Sequence, residues 1–287
     1  MIICICGPTC VGKTKLSIEL AKKYNAEIIN FDSVQIYKDM DIVSAKVTES
    51  EKENIKHHLL DIKNYNEDYS VYDYQIDSRK IIDKLLKEKK NIIMVGGTAL
   101  YLKASLFDYR FNKEEKNNIY DSLSNEELYE RILKINNESK VDKNNKRRLI
   151  RELINLENSV VNNLGDNLIY DNVYFIGLNT DRKILYKRID DRVDDMIKNG
   201  LLEEARFFYN KKKAKAILTP IGYKELFNYF DNKISLEEAV NLIKKNSRHY
   251  AKRQLTFFRN KFNIKWFNTN YDDFSETINE VINYIGE

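Results

Sequence analysis

Gly7-Pro8-Thr9-Cys10-Val11-Gly12-Lys13-Thr14 is a complete G-x-x-x-x-G-K-T run. Apolar residues 2–6 precede it, and 13–24 follow with Leu16, Leu20 and Ala21 at helical spacing. A strand, a glycine turn and a helix are the setting that this motif requires. The glycines let successive backbone N–H groups turn inward around phosphate oxygens, and the helix N-terminus adds its positive dipole end. Lys13 supplies a mobile charge, and the Thr14 hydroxyl can join the shell of a Mg²⁺ ion. The motif specifies a bound phosphate and leaves the reaction open.

Outward from this loop, short apolar runs at 27–31, 91–95, 173–178 and 264–267 read as further buried strands, and 71–89 as a helix. Continuous apolar strands alternating with helices predict an α/β fold, a P-loop NTPase-like parallel sheet with helices on both faces. Between 111 and 166 the strand-like runs stop, and Lys, Glu and Asn dominate a helical pattern opened by the capping box Ser124-Asn125-Glu126-Glu127. The expected organisation is a core of 1–110 and 167–287 carrying a small helical insertion at 111–166.

Hydrophobic residues make up 43% of the 287-residue chain and charged residues 32%, which excludes a disordered chain. No apolar run has membrane-spanning length and the N-terminus lacks a signal-peptide layout, so a soluble cytoplasmic protein without membrane contact is expected. The three cysteines, Cys4, Cys6 and Cys10, have no distant partner and read as small buried hydrophobes of a reducing compartment.

The net charge of +4 is mild, but its distribution is uneven. A second capping box, Ser235-Leu236-Glu237-Glu238, opens a long helix toward Phe262. Along it Lys244, Lys245, Arg248, Lys252, Arg253, Arg259 and Lys261 follow one another with no acidic residue between them. Tyr250, Gln254 and Phe257 interleave with these charges, a pattern suited to a polyanion. His249 on the same helix reads as surface or RNA-facing. His57-His58 lacks a third ligand at metal spacing and reads as capping or packing.

Asp32 closes the strand after the P-loop helix, at the sheet edge where open α/β folds place ligands. It can be a Mg²⁺ carboxylate, a general base or a turn cap. Gly96-Gly97-Thr98 ends another strand at the same edge, where paired glycines serve close approach to a ligand or a tight turn.

Several stretches in order match one family. They are the P-loop, Asp32-Ser33-Val34-Gln35-Ile36-Tyr37, Met40-Asp41-Ile42, His57 to Ile62, Val95 to Tyr101, Arg147-Arg148-Leu149-Ile150-Arg151, Gly200 to Glu204, Ile221 to Leu226 and Tyr250 to Thr256. The chain resembles the tRNA dimethylallyltransferases, the tRNA isopentenyltransferase family, over nearly its whole length. The resemblance implies transfer of a dimethylallyl group from dimethylallyl diphosphate to the N6 amine of the adenosine 3′ of the anticodon. The P-loop then holds the diphosphate through Gly7, Pro8, Thr9, Cys10, Val11, Gly12, Lys13 and Thr14, with Thr14 on Mg²⁺. Asp32 becomes the base and Arg192 neutralises the leaving diphosphate. Asp32, Ser33, Val34, Gln35 and Thr98 face the target nucleotide. Arg147, Arg148, Leu149, Ile150 and Arg151, together with Arg248, Lys252, Arg253 and Gln254, contact the tRNA anticodon stem-loop. A monomer is expected.

The chain departs from the family pattern at Val43-Ser44, where glycine and threonine are usual, at Val47 for proline, at Phe257 for a frequent tryptophan, and in a short stretch before Arg147. None of these falls on the P-loop, Asp32 or Arg192. The rival readings are an isopentenyltransferase of free adenine nucleotides, a small-molecule kinase, and a P-loop RNA-binding protein without catalysis.

Overall fold

Ile2–Cys6 forms β1, buried at every residue, as an apolar pentad must be when both faces of its sheet are covered. The computed structural model describes residues 1–111, 120–157, 165–211 and 214–286. After β1 the chain runs through α1 (Lys13–Tyr24), β2 (Ala26–Asn30), the short helices α2 (Asp41–Ser44) and α3 (Glu49–Lys52), β3 (His57–His58), α4 (Val71–Lys87), β4 (Asn91–Val95) and α5 (Ala99–Leu106). Helices α6 (Asn125–Ile135) and α7 (Lys146–Glu157) follow. Then come β5 (Val173–Asn179), α8 (Arg182–Lys198), α9 (Leu201–Tyr209), α10 (Tyr223–Phe230), α11 (Leu236–Lys261), β6 (Lys265–Asn268) and α12 (Phe274–Gly286).

The strands form one sheet in the order β3-β2-β4-β1-β5-β6, parallel at every pairing. Ile3 and Ile5 of β1 pack with Leu16 and Leu20 of α1 and Val281 and Ile285 of α12. Cys4 alternates to the other side, near Tyr74 of α4. The turns that follow β1, β2 and β4 therefore open at one carboxyl edge of the sheet. No helix among the described residues is long and apolar enough to cross a membrane.

β3 was not foreseen from the sequence. Two histidines carry no alternation to read; the strand is made by its backbone pairing with β2, beside which His58 bonds Glu27 at 2.6 Å. Burial alone would raise the Glu27 pKa. Hydrogen bonds from Lys90 and His58 and the charge of Lys56 outweigh that and hold it at about 2.

The chain divides into two compact units, Met1–Leu106 with Ile169–Glu287, and Phe107–Leu168. The second begins and ends at an antiparallel bridge, Phe107 to Leu168. Its core is Leu128 and Ile132 of α6 with Leu149 and Leu153 of α7, two i,i+4 pairs. The capping box at α6 is formed, with Glu127 N–H donating to Ser124 Oγ at 3.2 Å. The one at α11 is formed likewise, with Glu238 N–H donating to Ser235 Oγ at 3.1 Å. Residues 112–119 and 158–164 of the expected insertion lie outside the described residues.

Candidate active site

The loop between β1 and α1 borders a cavity of about 470 Å³ lined by Thr9, Cys10, Gly12, Lys13 and Thr14 together with Asp32 and Arg192. Gly12 caps α1 at φ +93°, and the Phe274 ring stands where a side chain would have to be. Lys13 Nζ donates to the Pro8 carbonyl at 2.6 Å. From α8, Arg192 Nη1 donates to Thr9 Oγ1 at 2.6 Å and lies 3.6 Å from Cys10 Sγ. Cys4 and Cys6 are buried as expected, whereas Cys10 is half-buried on the cavity wall. Its loop position places it there, partly buried against the edge of the core.

Burial lowers the Lys13 pKa to about 8, helped by the neighbouring Arg192 charge and opposed by Cys10 and Asp32. Lys13 is therefore charged below about pH 8 and neutral above it. The expected consequence is an alkaline limb in the pH profile of kcat/KM for the phosphate-bearing substrate, falling about tenfold per pH unit above it. A profile that stays flat through pH 9 would exclude Lys13 as the titrating contact.

Asp32 follows β2, and its Oδ1 accepts the Val34 N–H at 2.9 Å. It is thus a turn cap, yet it also lines the cavity. Burial raises its pKa. The Val34 and Gln35 amides and the charges of Lys13 and Arg192 pull in the opposite direction. Gly97 preserves this arrangement. A Cβ there would stand 2.5 Å from Gln254 Nε2 and 3.1 Å from Asp32 Oδ2. Thr98 ties the β4 loop to the β2 loop, accepting the Ser33 N–H at 3.0 Å and donating to Ser33 Oγ at 3.1 Å. Ser33, Val34, Gln35 and Thr98 all reach the cavity.

Some expected contacts are engaged otherwise. Gln254, buried on α11, accepts the Thr9 N–H at 3.1 Å and donates to the Gly97 carbonyl at 3.0 Å, bracing the P-loop against the β4 loop. Arg248 is half-buried and bonded to Asp190, and Lys244 pairs with Asp194 at 2.7 Å, so α8 neutralises part of the basic run. The exposed cations of α11 are Lys245, Lys252, Arg253, Arg259 and Lys261. On α7, Arg147, Arg148 and Arg151 are exposed, but Leu149 is fully buried and Ile150 packs against the same core. Leu149 therefore cannot meet RNA, since helical periodicity turns it inward.

Sequence reasoning missed the apolar wall of the cavity, made by Val43, Ile189, Val193, Met196, Ile221 and Ile243. It also passed over Ser247 and read Tyr250 only as part of a polyanion-facing run, whereas both line the cavity with Ile243 and Gln254. Their spacing of three and four residues marks one helix face and was available as a signal. Glu204 was missed as well. It accepts the Asp41, Ile42 and Val43 amides at 3.0, 2.7 and 3.0 Å, capping α2 from α9.

Among the described residues no group of three or more His, Cys, Asp or Glu is arranged to hold a metal. The oxygen donors on the cavity wall include the Thr14 hydroxyl and the Asp32 carboxylate. Mg²⁺ needs only one or two protein oxygens when phosphate oxygens complete its shell, so this set fits an ion that arrives with a diphosphate.

The whole chain is similar to proteins of one family. The sequence model of the IPP transferase family matches residues 35–261. The chain is 42% identical to the tRNA dimethylallyltransferase of Anoxybacillus flavithermus, covering 99% of this chain and 96% of that protein. Identity to the tRNA dimethylallyltransferase of Lactococcus lactis subsp. lactis is 44%, with 95% of each covered. Among solved structures, the full-length tRNA isopentenylpyrophosphate transferase of Bacillus halodurans superposes with a TM-score of 0.76 at 39% identity, covering 99% of this chain and 95% of that one. A eukaryotic dimethylallyltransferase described as acting on tRNA superposes with a TM-score of 0.83 at 28% identity, covering 99% and 79%.

Proposed function

The chain belongs to the IPP transferase family, and from that premise we propose that it transfers the dimethylallyl group of dimethylallyl diphosphate to the N6 amine of the adenosine immediately 3′ of the anticodon in tRNA. The observation that carries this reading is the meeting, in one cavity, of a phosphate cradle, an apolar wall beside it and a half-buried carboxylate. The apolar wall suits a five-carbon prenyl group, and the exposed cations of α11, for which a small-molecule kinase has no need, suit RNA.

The adenine amine is a poor nucleophile because its lone pair is delocalised into the ring. As N6 bonds to C1 of the prenyl group, the C1–O bond to diphosphate breaks and Asp32 accepts the amine proton. Lys13, Arg192 and the P-loop amides face the charge that gathers on the departing diphosphate. Mg²⁺, when bound through Thr14 and the diphosphate, supplies further positive charge there. Ser33, Val34, Gln35 and Thr98 surround the base, which must leave the anticodon-loop stack to enter. The exposed cations of α11 and of α7 grip the stem-loop phosphates. A tRNA substrate supports a cytoplasmic site of action.

The direct test is a transfer assay with labelled dimethylallyl diphosphate, Mg²⁺ and unmodified tRNA, followed by nucleoside analysis. Prenylated adenosine from tRNA is expected. Label on free AMP alone would make the protein a nucleotide isopentenyltransferase, and ATP turnover without transfer would make it a kinase. Arg253 is exposed at the cavity mouth, with its guanidinium 5.6 Å from the Tyr250 ring. Arg253→Ala is expected to weaken tRNA binding and to reduce the slope of log K against log salt by about one. An unchanged slope, measured by filter binding between low and moderate salt, would place this arginine in structure alone.

A further inference from the structure

Cys10 holds a left-handed backbone at φ +67°, a conformation that L-residues avoid unless their surroundings impose it. What imposes it lies outside the cavity. Arg188 Nε donates to the Cys10 carbonyl at 3.2 Å, and the Tyr271 hydroxyl donates to the same oxygen at 3.3 Å. The Arg188 guanidinium sits 4.0 Å from the centroid of the Tyr271 ring, so the two donors also fix each other. Next along the loop, the Thr269 hydroxyl donates to the Val11 carbonyl at 3.0 Å. Arg188, Thr269 and Tyr271 do not line the cavity, whereas Arg192, one helical turn beyond Arg188, does.

All peptide bonds among the described residues are trans. In a planar trans peptide the C=O and the N–H of the next residue point in opposite directions. A Cys10 carbonyl drawn outward by two donors therefore turns the Val11 N–H toward the phosphate side. The Thr269 bond to Val11 does the same for the Gly12 N–H. We propose that Arg188 and Tyr271 are positioning residues of the diphosphate cradle: they set the Cys10–Val11 peptide so that its N–H faces the bound diphosphate, and neither touches the substrate. This rests on the transferase reading. It also assigns a part in the reaction to the segment after β6, which lies outside the residues matched by the family model.

The experiment uses the full chain with dimethylallyl diphosphate and tRNA in steady-state transfer, together with inorganic diphosphate binding by calorimetry. Tyr271→Phe removes one hydroxyl and no charge. Arg188→Gln keeps an N–H donor at the same bond position as Nε and loses the charge. Arg188→Met loses both, and a double variant combines it with Tyr271→Phe. Tyr271→Phe and Arg188→Met are each expected to raise the dimethylallyl diphosphate KM and the diphosphate Kd roughly three- to tenfold, with the tRNA KM unchanged. Arg188→Gln should stay within about twofold of wild type. The double variant should exceed the product of the singles, because in each single variant the remaining donor still holds the carbonyl in part.

A silent Tyr271→Phe, with Arg188→Gln as damaging as Arg188→Met, would overturn the proposal in favour of a direct charge contact by Arg188. A parallel rise in both KM values with a lowered melting temperature would overturn it in favour of a structural role. A wild-type protein that binds diphosphate but transfers nothing would refute the transferase reading. The diphosphate Kd series would still test the cradle.

Discussion

Asp32→Asn lowers turnover by a factor on the order of 10²–10⁴ while leaving tRNA binding near wild type. The substitution isolates one property of the residue. An asparagine Oδ1 can still accept the Val34 N–H that Asp32 Oδ1 accepts at 2.9 Å, so the turn after β2 persists. The Gly97 side of the carboxylate, where Oδ2 lies, gains an amide that cannot take a proton. Burial also raises the Asp32 pKa above its ordinary value. The wild-type acid limb should therefore lie above the usual carboxylate range, with activity falling as pH falls through it, and it should vanish in Asp32→Asn. Turnover within about threefold of wild type in single-turnover assays would remove Asp32 from the proton-accepting role.

The second large effect is expected at Arg192. Arg192→Ala should lower the transfer rate by roughly 10²–10³, the usual effect of losing one preorganised group aimed at developing charge. Lysine is not an adequate substitute, because a point charge on a flexible stem cannot reproduce the planar fork that reaches Thr9 Oγ1. A second readout separates this role from general damage. The Arg192 charge is one of the causes that depress the Lys13 pKa. Removing it should shift the alkaline limb, which begins near pH 8 in the wild type, to higher pH. A slow variant with an unmoved limb would mean that Arg192 and Lys13 do not act on a common charge.

The sequence was most legible where structure is local. The strand–loop–helix around Gly7 to Thr14 and the capping boxes at Ser124 and Ser235 are written in consecutive residues, and each formed as spaced. Asp32 and Thr98 were legible for a different reason, since parallel strands deliver their carboxyl ends to one edge. The basic run was only half legible. That Arg248 and Lys244 answer Asp190 and Asp194 depends on how α8 lies against α11, which no spacing within the run reveals. Leu149 could have been separated from its arginine neighbours, because Leu149 and Leu153 fall on one helix face. The capping of α2 by Glu204 and the holding of Cys10 by Tyr271 join residues more than 150 positions apart and have no local signature.

The phosphate loop occupies the first few residues of the chain, yet Gln254, Thr269 and Tyr271 bond its backbone and Phe274 packs on Gly12. Its central strand finds one partner only at Val173 and beyond. A ribosome therefore makes the motif more than 200 residues before the parts that shape it. Contacts of such long sequence separation form late in folding, so the growing polypeptide displays its glycine loop long before that loop can grip an anion. A product released short of Thr269 would keep Lys13, Asp32 and Arg192 and lose the Thr269 and Tyr271 bonds that hold the loop carbonyls.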